Sequence, residues 1–159
     1  MLKKIFFIIL SFNLLSNCEY KPVYSNQNNL NYKIIITDFS GDKDMNNLIA
    51  ANLKRNSKDN SNEIINISFN TKYSKNVLAK NEAGTITDYQ TNVVASFVIK
   101  KRNDSENFEL NEKFNFKKID DKYEEKNYEQ NIKRNLANTI SQKLFLRLAI
   151  IKWFLRHLN

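Results

Sequence analysis

Residues 85–99 read TITDYQTNVVASFVI, and this stretch decides the fold. Thr85, Tyr89, Val93 and Phe97 belong to a set of apolar, aromatic or β-branched side chains that recurs at every second position as far as Ile99. A period of two is typical of a strand with one buried face and one solvated face. The stretch therefore predicts a long strand of an antiparallel sheet.

The segments on either side repeat the same alternation. It runs through residues 65–73 before the stretch and through 108–116 after it, where Glu112 is the one polar intrusion. Gly84 separates the first pair of segments, and KRNDSEN (101–107) separates the second pair. Both are hairpin-type connections, so three consecutive antiparallel strands are predicted.

One strand and two helices complete the pattern. KIIIT (33–37) predicts a short strand buried on both faces, and 43–56 has helical periodicity after Asp42 or Asp44 as its cap. From Tyr123 apolar residues recur at about every fourth position, which predicts a helix of roughly 25 to 35 residues. The order indicates an α+β fold, a four-stranded, mostly antiparallel sheet with two helices packed on one face.

The N-terminus indicates an exported protein. Residues 1–17, MLKKIFFIILSFNLLSN, combine two lysines with a short apolar run, which is the layout of a signal peptide. Cys18, the only cysteine, follows at once, and Leu15-Ser16-Asn17-Cys18 resembles a bacterial lipobox, although Asn17 departs from the usual small residue. We therefore predict lipidation at Cys18, a tether at 18–32 and a single domain at 33–159.

Composition excludes several classes of site. One cysteine permits no internal disulfide, one histidine permits no multi-histidine zinc site, and two glycines permit no phosphate-binding glycine loop. The acidic cluster of Asp120, Asp121, Glu124 and Glu125 is explained by a helix N-terminus. We predict a protein that is not an enzyme and that has no metal and no cofactor besides the lipid on Cys18.

The sequence resembles the LPS-assembly lipoprotein family, LptE, in its alphaproteobacterial form. The resemblance rests on CEYKPVY (18–24), the α+β order, the strand pair around AKNEAGTITDYQTNVVASFVI (79–99) and the last helix from YEEKNYEQ (123–130) onward. Asn131, Asn135 and Asn138 depart from the small or acidic residues expected in that helix.

This resemblance implies a lipid-anchored protein of the outer membrane that faces the periplasm. Such proteins plug the LptD β-barrel, support its assembly and bind lipopolysaccharide (LPS). The alternative is an envelope lipoprotein that binds peptidoglycan or another anionic polymer. The net charge of +8 includes two lysines of the signal peptide, so +6 remains after its removal. Because the protein is predicted to be exported, we predict an anionic partner other than nucleic acid.

Two surfaces are candidates for binding. By charge and position alone, Lys75, Lys80, Lys117 and Lys118 are predicted to contact LPS phosphates. The C-terminal stretch KLFLRLAIIKWFLRHLN (143–159) is apolar on nearly every side of a helix. It either packs against the sheet or meets a membrane surface or another protein.

Overall fold

A computed structural model describes residues 31–101 and 104–157, with side chains described as far as residue 150. The elements occur in the predicted order, with bounds β1 (Lys33–Gly41), α1 (Lys43–Asn56), β2 (Ile64–Lys80), β3 (Ile86–Lys101), β4 (Asp104–Lys117) and α2 (Lys122–His157). The signal peptide, Cys18 and nearly all of the tether lie outside these residues. The α+β prediction is confirmed.

The four strands form one mixed sheet in the order β1-β2-β3-β4. The β2–β3 and β3–β4 pairs are antiparallel, whereas β1 lies parallel to β2, with Lys33 opposite Ile64. A parallel pair needs a crossover connection, and α1 supplies it. The helix begins as predicted, because the Asp42 carboxylate accepts a hydrogen bond of 2.9 Å from the Met45 N–H.

Two details of the predicted strands were wrong. β1 is an edge strand, and Ile35 is 38% exposed on the sheet face that carries no helix, so β1 is not buried on both faces. The β3–β4 connection is also shorter than 101–107, because Lys101 pairs with Asp104 across the hairpin. Residues 104–107 are polar, and an edge strand with solvent on one face accommodates them.

Both helices cover one face of the sheet and enclose the hydrophobic core. Ile67, Phe97 and Val93 contribute from the strands, Leu53 from α1 and Ile140 from α2, and each is at most 1% exposed. The opposite face of the sheet is rich in amides, hydroxyls and lysines. Its alternating positions on β2, β3 and β4 include Asn70, Lys72, Ser74, Asn92, Ser96, Asn111, Lys113 and Asn115.

The two helices meet partly through polar groups. Asn52 of α1 is buried and donates to the Asn138 side chain at 2.9 Å and to Ser141 at 3.3 Å, both on α2. A cleft of about 260 Å³ opens beside this contact and includes Arg55 in its wall. In addition, Lys133 of α2 pairs with Asp44 of α1 at 3.0 Å. These contacts set the two helices side by side and pointing in the same direction.

The sheet has two distinct ends. At the entry end, β1 begins, β3 ends and β4 begins; Tyr32 packs into the core there and its ring lies 4.8 Å from the Lys101 ammonium. At the distal end, β2 and β4 end and β3 begins, with Ala79 and Lys117 flanking Asp88. No helix within residues 31–101 and 104–157 is long and apolar enough to cross a membrane.

Candidate functional site

Three of the four predicted lysines lie together at the distal end. Lys80 ends β2 and Lys117 ends β4, and only β3 separates the two strands, so their backbones are about 10 Å apart. Lys118 follows directly, and its N–H donates to the Thr87 carbonyl at 2.8 Å, which holds the end of β4 against the start of β3. We call Lys80, Lys117 and Lys118 the distal lysines.

The distal lysines are exposed to solvent. Lys118 contacts Asp120 at 3.1 Å, a carboxylate that is itself 96% exposed, and Lys117 lies opposite Asp88 in the β3–β4 register. Within the described residues, neither Lys80 nor Lys117 has an ion-pair partner. Their ammonium groups are therefore accessible to an anion in solution, although carboxylates lie at the same end of the sheet.

Lys75 occupies a different environment. It lies on the helix-covered side of β2, where its ammonium contacts Glu125 at 2.5 Å and Glu129 at 3.1 Å and lies 4.3 Å from the centre of the Tyr89 ring. Burial disfavours the charged ammonium, but the hydrogen bonds to the two carboxylates outweigh it and raise the pKa of Lys75 above its ordinary value. The structure does not bring Lys75 together with the distal lysines, and its charge is compensated.

The residues around Lys75 form a polar network beneath α2. The Tyr73 hydroxyl donates to Glu129 at 2.8 Å, and the Lys133 ammonium lies 4.5 Å from the centre of the Tyr73 ring. Burial, followed by the bond to Glu129, raises the pKa of the Tyr73 hydroxyl, so it stays protonated. This network fixes the start of α2 on the sheet, which is a structural role.

The acidic residues before α2 also have structural partners. The Asp121 carboxylate accepts hydrogen bonds from the N–H groups of Tyr123 and Glu124, each at 2.8 Å, and so caps the helix. Glu125 pairs with Lys75, as described above. The cluster is thus divided between the cap, an ion pair and the solvent.

The distal end also has apolar residues that sequence reasoning did not single out. Val77 and Leu78, close to Lys80 on β2, are 46% and 48% exposed, and Phe114 on β4 is 39% exposed. The adjacent pair Val77-Leu78 breaks the alternation of β2, and that break is the signal that could have found them. The distal end therefore has both exposed cations and exposed apolar side chains.

This arrangement of strands and helices occurs in a solved structure. The rare lipoprotein B from Shewanella oneidensis matches 72% of this chain and 98% of its own, with a TM-score of 0.53 and 12% sequence identity. The chain shares its fold with this lipoprotein.

Two further structures are similar over most of their length. A putative lipoprotein from Caulobacter crescentus has a TM-score of 0.48 and 9% identity, over 84% of this chain and 95% of its own. Lipoprotein B from Nitrosomonas europaea has a TM-score of 0.42 and 13% identity, over 75% and 88%. No model of a known protein family matches the sequence, and no curated protein sequence does.

Proposed function

We propose that this protein is an LPS-assembly lipoprotein of the outer membrane. It is anchored through Cys18, plugs and supports the LptD barrel, and binds LPS on its way to the outer leaflet. The fold shared with a rare lipoprotein B supports an envelope lipoprotein. The sequence features at residues 18–24 and in the last helix support the LPS-assembly family.

The observation that carries LPS binding is the composition of the distal end. LPS is an amphiphile with phosphates next to acyl chains, so a protein that holds it needs cations and apolar surface side by side. Lys80, Lys117 and Lys118 provide the cations, and Val77 and Leu78, which closely precede Lys80 on β2, provide exposed apolar surface at the same end of the sheet. Lysine acts on a phosphate as a point charge and needs no fixed geometry, which suits a heterogeneous glycolipid.

The test is LPS affinity measured at fixed, low ionic strength. Replacing the three distal lysines with glutamine is expected to weaken binding by about ten- to a hundredfold, since each lysine near an anionic surface contributes about 1 kcal/mol or less. The matched control replaces Lys54, Lys58 and Lys100, which are exposed and belong to other parts of the surface. Equal losses in the two triple variants would show that binding follows net charge and would refute the distal site.

The Lys75→Gln variant tests whether Lys75 stabilises the fold or contacts LPS. Because Lys75 is held by Glu125 and Glu129, we expect this variant to lose stability and to keep LPS affinity close to that of the parent chain. An affinity loss equal to that of the distal triple variant would place Lys75 in the binding site after all.

The barrel partner and the anchor need their own experiments. Purification in gentle detergent should recover a stoichiometric complex with an LptD barrel, and recovery of this protein alone counts against the proposal. Co-sedimentation with purified sacculi would favour the peptidoglycan-binding alternative. Cys18→Ser should abolish metabolic labelling with palmitate, and a labelled variant would overturn the anchor.

A further inference from the structure

We propose that the C-terminal end of α2, residues 149–157, lies on an anionic bilayer as a second membrane contact. This inference goes beyond the proposed function in LPS assembly, and of that proposal it uses only the membrane anchor that precedes the domain. The binding partner of this segment is a lipid surface with negatively charged headgroups.

The first observation is where α2 leaves the rest of the domain. Its direction along β4 is fixed by ion pairs, with Lys143 contacting Glu112 and Arg147 contacting Glu106 at 2.7 Å. The helix therefore runs toward the start of β4, which is the entry end. It continues for ten residues after Arg147, and at 1.5 Å per residue this adds about 15 Å.

The second observation is an exposed apolar residue on the solvent side of this part of the helix. Leu144 and Leu148 are buried against the sheet at 0% and 2% exposure, whereas Ile150, on the same side as Lys143 and Arg147, is 58% exposed. In the sequence the same apolar spacing continues to Ile151 and Leu155, past the last described contact with the sheet. The apolar spacing that builds the core thus continues in the sequence beyond Leu148, the last residue of this spacing whose burial is described.

The third observation is the position of the anchored side of the molecule. Asn31 and Tyr32 enter the domain at the entry end, where the Asn31 carbonyl accepts from the Ser61 hydroxyl at 2.6 Å and Tyr32 contacts Lys101. Asn31 is 13 positions after Cys18, so the chain between them has a reach of at most about 45 Å. The tether and the end of α2 therefore leave the domain at the same end, and a lipid on Cys18 keeps that end near the membrane.

The fourth observation is charge. The chain has no acidic residue after Glu129; Lys133, Lys143 and Arg147 pair with carboxylates of the domain, and Lys152 and Arg156 follow these three in the sequence. Lys152 and Arg156 are four residues apart in the sequence, which is the spacing of neighbours on one side of a helix. A helix with a basic stripe and a broad apolar remainder that includes tryptophan is typical of segments that lie in the interface of an anionic bilayer.

The experiment uses Trp153, the only tryptophan, as the reporter. The full chain, purified in detergent, is reconstituted into vesicles of phosphatidylglycerol and phosphatidylethanolamine with brominated acyl chains. We expect loss of Trp153 emission relative to unbrominated vesicles, together with a shift of the maximum to shorter wavelength than in detergent-free buffer. Unquenched emission in the anionic vesicles would overturn the inference, and so would quenching equal to that in phosphatidylcholine vesicles.

A charge-reversal pair tests the role of the basic stripe. Lys152→Glu with Arg156→Glu should remove the quenching, whereas Lys122→Glu with Lys126→Glu, at the other end of the same helix, should leave it unchanged. Equal quenching in both double variants would show that Lys152 and Arg156 do not attract the helix to the anionic bilayer. The measurement on the wild-type chain does not depend on whether a variant folds. It also requires neither LPS nor the barrel, so this proposal and the proposed function can fail separately.

Discussion

A Cβ atom at Gly41 would lie 1.9 Å from the backbone oxygen of Thr71 on the neighbouring strand. Gly41 also has a φ of 97°, a conformation that residues with a Cβ rarely adopt. We expect Gly41→Ala to lower the free energy of unfolding by about 2–4 kcal/mol, measured by chemical denaturation. Gly84→Ala is the control, because φ is 79° there but nothing lies within 4 Å; a loss of about 1 kcal/mol is expected. Equal losses would show that the contact with Thr71 has no energetic role.

Tyr32 belongs to the core although it precedes β1. Its side chain is 2% exposed, so Tyr32→Ala should lower the free energy of unfolding by about 3–5 kcal/mol. Tyr123→Ala, at a tyrosine that is 74% exposed, should change it by less than about 0.5 kcal/mol. If Tyr32→Ala were as mild as its control, the packing at the entry end described here would be wrong.

The raised pKa of Lys75 predicts that the protein loses stability at high pH. Its pKa is raised in the folded state, so its contribution is complete below the ordinary lysine pKa and is lost as the pH rises through the folded value. The raised pKa of Tyr73 acts in the same direction. Thermal unfolding from pH 8 to 11 should show a steeper decline for the parent chain than for Lys75→Met. Lys80→Met should follow the parent chain, and parallel curves for all three would contradict the prediction.

The ion pair between Asp44 and Lys133 predicts the opposite pH dependence. The hydrogen bond from Lys133, followed by its charge, lowers the pKa of Asp44. Its contribution is therefore present above the ordinary aspartate pKa and is lost as the pH falls through the lower folded value. Because Asp44 is 54% exposed, we expect Asp44→Asn to cost about 1 kcal/mol or less at pH 7. At pH 2 the cost should vanish, and a cost that persists there would have another origin.

Asn92 offers a stabilising substitution. Its Oδ1 is shielded from solvent and has no hydrogen-bond partner in the described part of the chain, on a central strand. Asn92→Val removes that unsatisfied acceptor and adds a β-branched residue, so the free energy of unfolding should rise by about 1 kcal/mol. Asn115→Val is the comparison, because Asn115 accepts from Gln90 at 2.9 Å and should give no gain. A loss in Asn92→Val would mean that a water satisfies Oδ1.

Periodicity predicted the elements because one face of each element is buried. The alternation centred on Val93 and Phe97 found β3, and the Asp42 cap with the spacing after it found α1 at its observed bounds. The exposure of Ile35 could not be found this way. A short apolar run does not reveal whether a second layer covers the strand, and no described residue forms such a layer over Ile35, which is 38% exposed.

The positions of the lysines in the candidate site could be predicted only where they follow from neighbouring residues in the sequence or from the register of the strands. Lys117 and Lys118 follow the end of an alternating segment, so their position at an end of the sheet could be inferred. The pairing of Lys75 with Glu125 and Glu129 could not, because 50 and 54 residues separate the partners. Whether a lysine is free or paired is a property of tertiary packing, which a count of charges does not contain.

The position of α2 after the strands in the chain affects when the core can form. The strands β2, β3 and β4 pair through connections of five and two residues, so they can join as soon as they are synthesised. Their apolar face, however, is covered largely by Ile132, Leu136, Ile140 and Leu144, which follow the strands in the chain. A nascent chain therefore exposes the apolar face of its sheet from the completion of β4 at Lys117 until these residues of α2 have been synthesised.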